Sequence, residues 1–367
     1  MLKEKENKNI MMLEPKIKQE LIKESNNIAS NSTNENSNKK NNEKNINNEE
    51  IINLRKKLNE FYTKIPESYE IMNNIEKGGE SIVTKILHKK SKIELALKYV
   101  INTKKNTNEL NIASKLKNKN IIRFISYCCS NKDNSEIFLM ENAKFGNLIY
   151  FMKNSIKRYV LSESMMCYFT NEILKGLIYC HINKVAHMDI KPQNIVLDEY
   201  MNAKLIDFSI SIDYKNKNPK EKIKLPFKGT KPYMPLEILK KEYIAYENIN
   251  KIDTYSLGVM IYFLTFGSFP YGIKYADDYD KIKEKIENNI LEIKNRNQFS
   301  KYFIDFIEKL LKKNIKERMS IFEAINHYWV KGGKILYDEK EKTYNIYSFA
   351  TQLMTDGVKE FNDYLNM

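Results

Sequence analysis

The chain has 367 residues, of which 42% are hydrophobic and 29% are charged, which is the composition of a globular protein with sizeable cores. Its formal charge of +14 suits nucleic acid, an anionic membrane face or acidic proteins as partners, and selects none of them. The most apolar stretch, "YSLGVMIYFLTF" at 255–266, is too short to span a bilayer and predicts a buried helix.

The two ends of the chain differ in composition and hydrophobic pattern from its middle. Residues 1–48 are rich in Asn, Lys, Glu and Ser and predict a disordered tail. Within 49–68, apolar residues recur at helical spacing, so we expect a short amphipathic helix and linker. The tail at 332–367 has no readable role. The N-terminus lacks a signal-peptide core, which favours a cytoplasmic location, and the four cysteines form no CxxC pair, which favours reduced thiols.

The segment from Tyr69 alternates in polarity between turn signals and predicts three strands up to Val100. Helical spacing follows at 107–120, and two further strands are predicted at 121–129 and 136–143.

After Gly146 the pattern is mostly helical, at 162–183, 253–267, 302–313 and 320–330. The sequence therefore predicts an α+β architecture, with a small β-rich lobe at 69–143 and a larger helical lobe at 144–331.

Several short motifs follow one another in a fixed order. They are "KGGES" (77–81), "LALKYV" around Lys98, "HMDIKPQN" (187–194), "LIDFS" (205–209), "GTKPYMPLE" (229–237) and "KERMS" (316–320). Together they resemble the eukaryotic protein kinase family, serine/threonine type, from Tyr69 to Trp329. The ending "INHYWV" (325–330) is similar to that of calcium/calmodulin-dependent-like kinases, although the sequence has no EF-hand loop.

The resemblance implies a bilobal kinase fold that binds ATP with Mg²⁺, for which Mn²⁺ can substitute. Lys98 would hold the α- and β-phosphates, and Glu109 would pair with Lys98. The other residues implied to contact the nucleotide are Ile75, Gly78, Gly79, Val83, Ala96, Met140, Glu141, Ala143, Asn147 and Val196.

The same resemblance assigns the catalytic residues. Asp189 would be the base that orients the substrate hydroxyl, and Lys191 would stabilise the transferring phosphate. Asn194 and Asp207 would bind magnesium, for which carboxylate and amide oxygens are suitable ligands. The alternative for these polar residues is loop capping.

Further matches imply structural roles. Thr230 would hydrogen-bond into the catalytic loop, Glu237 would pair with Arg318, and Asp253 would brace the loop backbone. A hydrophobic spine is implied for Ala113, Phe124, His187 and Phe208.

The glycine loop and the metal-binding motif depart from the family pattern. Glu76 and Ser81 stand where the family usually has glycines, so we expect weaker ATP binding. Ser209 follows Asp207-Phe208 in place of glycine.

The activation signature departs as well. Met188 replaces the arginine that grips an activation-segment phosphate in many kinases, and Pro226 occupies the usual phosphorylation position. Between Asp213 and Gly229 there is no Ser or Thr. The sequence therefore predicts a kinase that does not need activation-segment phosphorylation.

Substrate preference follows from charge. Gln193, Pro232 and Phe263 stand where basic-directed kinases place acidic residues, and 215–228 is rich in lysine. We expect protein substrates with Ser or Thr acceptors in an acidic or neutral context. The alternative is a pseudokinase scaffold without turnover, which Glu76, Ser81 and Ser209 favour. A specific nucleic-acid site is not expected, because no basic stripe with stacking aromatics occurs, and no oligomeric state is predicted.

Overall fold

The computed structural model describes residues 68–77, 81–100, 107–130, 135–154 and 160–331. The predicted disordered tail, the helix and linker predicted at 49–68 except for Ser68, and the tail at 332–367 lie outside these residues, and so do Gly78 and Gly79. The chain divides into two compact units, a sheet unit and a helical unit. Each is described by itself.

The sheet unit is a five-stranded antiparallel sheet in the order β1-β2-β3-β5-β4. Its strands are β1 (Tyr69–Lys77), β2 (Ser81–His88), β3 (Glu94–Val100), β4 (Phe124–Ser130) and β5 (Ser135–Glu141). All five strands were predicted, and the structure confirms them.

One face of this sheet forms its core because successive residues of a strand point to opposite faces. Ile82 and Ile86 of β2 are buried, and the residues between and beside them alternate in exposure. On β3, Leu95, Leu97 and Tyr99 are buried, while the residues between them are half-buried. The period-two pattern therefore fixes which side chains face the core and which lie on the other face.

The helical unit contains the described helices and three two-stranded ribbons. The helices are α1 (Thr107–Ala113), α2 (Leu148–Asn154), α3 (Glu163–Ile182), α4 (Leu236–Leu239), α5 (Asn250–Phe266), α6 (Tyr279–Asn288), α7 (Lys301–Leu310), α8 (Ile321–Ala324) and α9 (Tyr328–Lys331). The ribbons pair β6 (Val185–Ala186) with β9 (Ile212–Asp213), β7 (Ile195–Leu197) with β8 (Ala203–Leu205), and β10 (Lys222–Lys224) with β11 (Tyr243–Ala245).

Helix α5 is the buried helix that the apolar stretch predicted. It ends at Gly267, whose φ of 65° is the left-handed conformation that glycine adopts without a Cβ penalty. All but one of its residues are buried, because it packs against α3 and α7. Within the described residues, no helix is both long and apolar enough to cross a membrane.

Two of the predicted helices differ from the structure. The helix predicted at 107–120 ends at Ala113. The helix predicted at 320–330 is two short helices, since the chain turns at His327, whose ring accepts a hydrogen bond from the backbone of Trp329 at 3.2 Å. The turn buries the Trp329 side chain, which is 1% exposed.

Residues 106–123, which the sequence analysis assigned to the small lobe, group with the helical unit. The cause is Asn120, whose amide donates to Glu172 at 2.7 Å and to the carbonyl of Ala203 at 3.0 Å. Gly176 of α3 permits this approach, because a Cβ there would lie 2.7 Å from the carbonyl oxygen of Asn120. Hydrogen bonds to one buried amide therefore anchor the segment that follows α1.

Candidate active site

A carboxylate on α5 shapes the loop that begins with His187. Asp253 accepts hydrogen bonds from the backbone N–H groups of His187 and Met188, each at 2.8 Å. Met188 has a φ of 71°, which is unfavourable for a residue with a Cβ. The two charge-assisted bonds offset this cost. The bracing role predicted for Asp253 is confirmed.

Asp189 lies at the centre of a polar network in this loop. Its Oδ1 accepts from the hydroxyl of Thr230 at 2.7 Å and from the Thr230 backbone N–H at 3.0 Å. Its Oδ2 lies 2.8 Å from the ammonium of Lys191 and accepts from the amide of Asn194 at 3.0 Å. The predicted contact of Thr230 with the catalytic loop is confirmed.

Lys191 contacts both ends of this network. Its Nζ lies 2.8 Å from the Thr230 hydroxyl as well as 2.8 Å from Asp189. The ammonium, the hydroxyl and the carboxylate thus form a closed triangle. A carboxylate in such a setting can accept a hydrogen bond from a substrate hydroxyl, and the neighbouring ammonium can neutralise negative charge.

The two predicted magnesium ligands lie at the same end of the β7–β8 ribbon, where Ile195 pairs with Leu205. Asn194 ends the turn before β7, and Asp207 follows β8 by two residues. The carbonyl of Asn194 accepts from the N–H of Ile206 at 3.0 Å, which brings the two positions together. The Asn194 amide NH₂ donates to the carbonyl and to the carboxylate of Asp189, so its Oδ1 is the atom that can bind a metal. An amide oxygen beside a carboxylate fits a hard cation.

Phe208 and His187 pack against each other beside Asp207. Phe208 is 1% exposed, and its ring centroid lies 5.0 Å from that of His187. The His187 ring donates through Nε2 to the carbonyl of Ile206 at 3.0 Å and accepts through Nδ1 from the N–H of Asp189 at 3.3 Å. Both residues therefore position their neighbours, which agrees with their predicted packing role.

Tyr214 anchors the segment after Asp207 to the core, a contact that the sequence analysis missed. Its hydroxyl lies 3.1 Å from Nδ1 of His181, and Nε2 of His181 lies 2.8 Å from the carboxylate of Asp253. Because a carboxylate only accepts, Nε2 of His181 donates to Asp253, and the Tyr214 hydroxyl also donates to the backbone carbonyl of His181 at 3.3 Å. Asp253 thus serves both the catalytic loop and this segment. No sequence pattern distinguishes His181 from an ordinary histidine at a helix end.

The electrostatics of Asp253 follow from these donors. Burial by itself raises the pKa of this carboxyl, but the hydrogen bonds from His181 and from the His187 backbone, with the electrostatic attraction of both residues, lower the pKa below its usual value of 3.8. Asp253 therefore carries its negative charge in the core, where the N–H donors stabilise it.

A second unpredicted contact joins α1 to the segment after Phe208. The amide of Asn108 donates to the carbonyl of Ser209 at 3.2 Å and to that of Ser211 at 2.8 Å. The Ser211 hydroxyl in turn donates to the carbonyl of His187 at 2.9 Å. Glu109, the predicted partner of Lys98, is the next residue of α1 and is 5% exposed. Asn108 therefore couples the position of α1 to that of Ser209.

Four of the nucleotide residues predicted for the sheet unit share one face of it. Val83 pairs with Lys98 across β2 and β3, and Ala96 pairs with Met140 across β3 and β5. All four are half-buried and alternate with the core residues. The Lys98 ammonium lies 5.8 Å from the ring centroid of Phe138. Ile75 and Glu141 lie in β1 and β5.

The nucleotide residues predicted for the helical unit lie near the start of α2. Asn147 forms a β-bridge with Val196, and the N–H of Gly146 donates to the carbonyl of Ala143 at 3.1 Å. The side chain of Asn147 accepts from the N–H of Tyr150 at 2.9 Å. Asn147 is therefore the cap of α2, a role that the sequence analysis did not assign, and its contact with ribose stays a prediction.

The buried ion pair that the motifs implied is present. Arg318 binds both carboxylate oxygens of Glu237, at 2.5 Å and 3.1 Å, and its guanidinium lies 4.7 Å from the ring centroid of Tyr255. Both partners are almost completely buried. The pair joins α4, at the end of the segment after Asp207, to the loop before α8, so it holds that end in place.

Comparison with known proteins agrees with this arrangement. A family model described as the protein kinase domain matches residues 69–330. Aurora kinase B of Drosophila melanogaster is 30% identical over 61% of the chain and 63% of its own length. A MAP kinase kinase of Saccharomyces cerevisiae is 28% identical over 80% and 58%, and a calcium/calmodulin-dependent protein kinase type II of Caenorhabditis briggsae is 26% identical over 73% and 50%. The chain thus spans half to two thirds of the length of these relatives.

Proposed function

Because this chain belongs to the protein kinase family, we propose that it transfers the γ-phosphate of ATP to serine or threonine hydroxyls of protein substrates. The observation that carries this proposal is the closed triangle of Asp189, Lys191 and Thr230, in which contacts of 2.7–2.8 Å join carboxylate, ammonium and hydroxyl. Phosphoryl transfer needs mainly alignment and charge neutralisation, and this triangle supplies both.

In the proposed reaction the substrate hydroxyl binds to the carboxylate of Asp189. A bond forms between the hydroxyl oxygen and the γ-phosphorus, the bond from that phosphorus to the bridging oxygen of ADP breaks, and the hydroxyl proton passes to Asp189. Lys191 stabilises the negative charge on the transferring group. Thr230 and Asn194 keep the carboxylate of Asp189 in place during these steps.

Magnesium fits the oxygen ligands of the site. Asn194 Oδ1 and the carboxylate of Asp207 would hold it, with Mn²⁺ as a possible substitute, and the bound ion would neutralise phosphate charge. For the nucleotide we propose the half-buried face of the sheet unit. Lys98, next to Val83, would hold the phosphates, and Glu109 would pair with Lys98.

Activity without a phosphate on the activation segment is part of the proposal. Met188 cannot grip a phosphate, and no Ser or Thr lies between Asp213 and Gly229. In place of a phosphate, hydrogen bonds support this segment, through the buried contact of Tyr214 with His181 near its start and through Thr230 to Asp189 near its end. These bonds form without any modification.

The substrate class rests on hydroxyl chemistry and charge. Lys191 and Thr230 are typical of serine/threonine-directed kinases, and the exposed segment 215–220 carries three lysines. We propose acceptors in an acidic or neutral context. The second candidate, a pseudokinase scaffold, is favoured by Ser209 and by Glu76 in place of family glycines.

The test is transfer of labelled γ-phosphate to a generic acceptor protein, with Mg²⁺ and with Mn²⁺. Wild-type chain made in bacteria and treated with phosphatase is compared with Asp207→Asn. Transfer by the wild type that the variant loses supports an active, phosphate-independent kinase. Nucleotide binding without transfer by either protein would refute turnover and favour the scaffold, whereas transfer that requires prior phosphorylation would refute only the phosphate independence.

A further inference from the structure

A pocket of about 570 Å³ opens on the surface of the helical unit. Its walls come from the end of the activation segment, the end of α4 and helix α6, whose Glu287 also lines the pocket. The residues that matter here are Phe227, Lys240, Lys241, Tyr279, Asp280 and Lys283. The mechanism proposed above uses none of them.

Two aromatic rings form the apolar part of this pocket. Phe227 and Tyr279 lie with their ring centroids 4.8 Å apart, in edge-to-face contact. Both remain substantially exposed, at 37% and 40%, although most large apolar side chains of the unit are buried. Exposed rings that pack against each other at a pocket are typical of surfaces that contact a partner.

Lysines surround these rings. The ammonium of Lys241 lies 5.1 Å from the ring centroid of Phe227, and that of Lys231 lies 5.7 Å from the ring centroid of Tyr279. A ring attracts an ammonium through its face without accepting all its hydrogens. The lysines are therefore held at the pocket while their N–H donors stay available for an anion.

The charges at this pocket do not cancel. Lys240 pairs with Glu287 at 2.7 Å, and Lys283 pairs with Asp280 at 2.9 Å. Lys241 interacts electrostatically with Asp280, but neither Lys231 nor Lys241 forms a salt bridge within the described part of the chain. The pocket therefore presents an excess of positive charge next to apolar rings, and it complements a ligand that combines carboxylates with an apolar side chain.

Lys231 links the pocket to the proposed acceptor position, because its ammonium lies 5.7 Å from the ring centroid of Tyr279, which lines the pocket. Lys231 directly follows Thr230, whose hydroxyl lies 2.7 Å from the carboxylate of Asp189. Neighbouring residues of a chain are about 3.8 Å apart at their Cα atoms. A polypeptide with its hydroxyl at Asp189 can therefore extend over Lys231 toward Phe227 and Tyr279.

We propose that this pocket docks an acidic segment of the protein substrate. Its carboxylates bind Lys231 and Lys241, and an apolar side chain covers the rings of Phe227 and Tyr279. The proposal rests on the proposed kinase function, and it adds the surface that selects acidic sequences.

The test is direct binding, which does not require turnover. The probe is a fluorescent peptide with a central serine, several Asp and Glu residues and one leucine; its control has Asn and Gln at the acidic positions. Binding is measured by anisotropy for the full chain, for Lys231→Glu/Lys241→Glu and for Lys301→Glu. Lys301 is a matched control because its ammonium also lies over a ring, that of Tyr302, at 5.1 Å, but on α7.

We expect the double variant to bind the acidic peptide about tenfold more weakly, with a smaller salt dependence, because two attractive charges become repulsive. The control variant should bind like the wild type, and the neutral peptide should bind weakly to all three proteins. Equal binding of the acidic peptide by the wild type and the double variant would overturn the proposal, as would equal weakening by Lys301→Glu.

Two further outcomes separate the possible partners and the two proposals. The double variant is also compared with the wild type for binding to DNA and to anionic vesicles. If the double variant loses binding to either of these but still binds the acidic peptide, the peptide docking site is overturned. Loss of peptide binding in the double variant supports the docking site even where the wild type transfers no phosphate. The binding assay and the phosphoryl-transfer assay therefore test the docking site and the proposed function separately.

Discussion

Replacement of Thr230 by valine tests the central triangle of the site. Valine has the shape of threonine without its hydroxyl, so it removes the 2.7 Å bond to Asp189 and the 2.8 Å contact with Lys191. The backbone N–H of residue 230 still donates to Asp189 at 3.0 Å. The chain path is therefore kept, and the change is confined to the orientation of two side chains.

The magnitude follows from the charge of the acceptor. A hydrogen bond to a charged group contributes about 1.5–3 kcal/mol, and about 1.4 kcal/mol corresponds to a tenfold change in rate. If this bond is needed in the transition state, kcat of Thr230→Val should fall by about 10- to 150-fold.

The assay is steady-state phosphoryl transfer at saturating ATP, with kcat and KM determined for one peptide. Thr230→Ser is the matched control, since it keeps the hydroxyl and should keep most of the activity. The melting temperatures of both variants should stay close to that of the wild type. Equal kcat values for the valine and serine variants would refute a role for the hydroxyl in the reaction.

Three further predictions concern the framework of the helical unit. Arg318→Met should destabilise the protein by about 3–5 kcal/mol because it leaves Glu237 charged and buried. In denaturant titrations, the added change Glu237→Leu should recover part of that stability, and no recovery would contradict the prediction. The lowered pKa of Asp253 provides stability that is present above its unfolded-state value of 3.8 and is lost as pH falls through the folded-state value. Unfolding followed from about pH 5 to pH 3 should therefore be steeper for the wild type than for Asp253→Asn, and parallel curves would count against this. Gly176→Ala places a Cβ 2.7 Å from the carbonyl oxygen of Asn120 and should cost about 1–3 kcal/mol in thermal unfolding, so an unchanged melting temperature would show that the contact relaxes.

Some side-chain pairs of the site could be expected from the sequence because the motifs imply them. The bonds of Thr230 to Asp189 and of Arg318 to Glu237 were expected in this way, and both are present. Other pairs join residues outside any motif. The bond between Tyr214 and His181 is such a case, because periodicity indicates which residues are buried and not which partner a buried hydroxyl finds.

Local sequence patterns also fail to predict where a helix ends when a contact with a distant residue determines that end. The segment 107–120 has helical spacing throughout, but the helix ends at Ala113, and the residues after it bond to α3 and β8 through Asn120. The end of the chain's described part behaves similarly, since the buried Trp329 indole donates to Glu163 of α3 at 3.0 Å, and one predicted helix is divided into two at His327. In both places tertiary hydrogen bonds override local propensity.

The sequence by itself determined the α+β architecture, the five strands, the buried helix α5 and the family to which the chain belongs. Alternation and helical spacing report burial directly, and the order of several motifs is specific. Only the tertiary structure decided that Asp253 supports the catalytic loop and Tyr214 together, and that Phe227, Tyr279 and their lysines meet at one pocket. These contacts join side chains that are far apart in the chain. The residues next to a position in the sequence do not determine which distant side chain it contacts after folding.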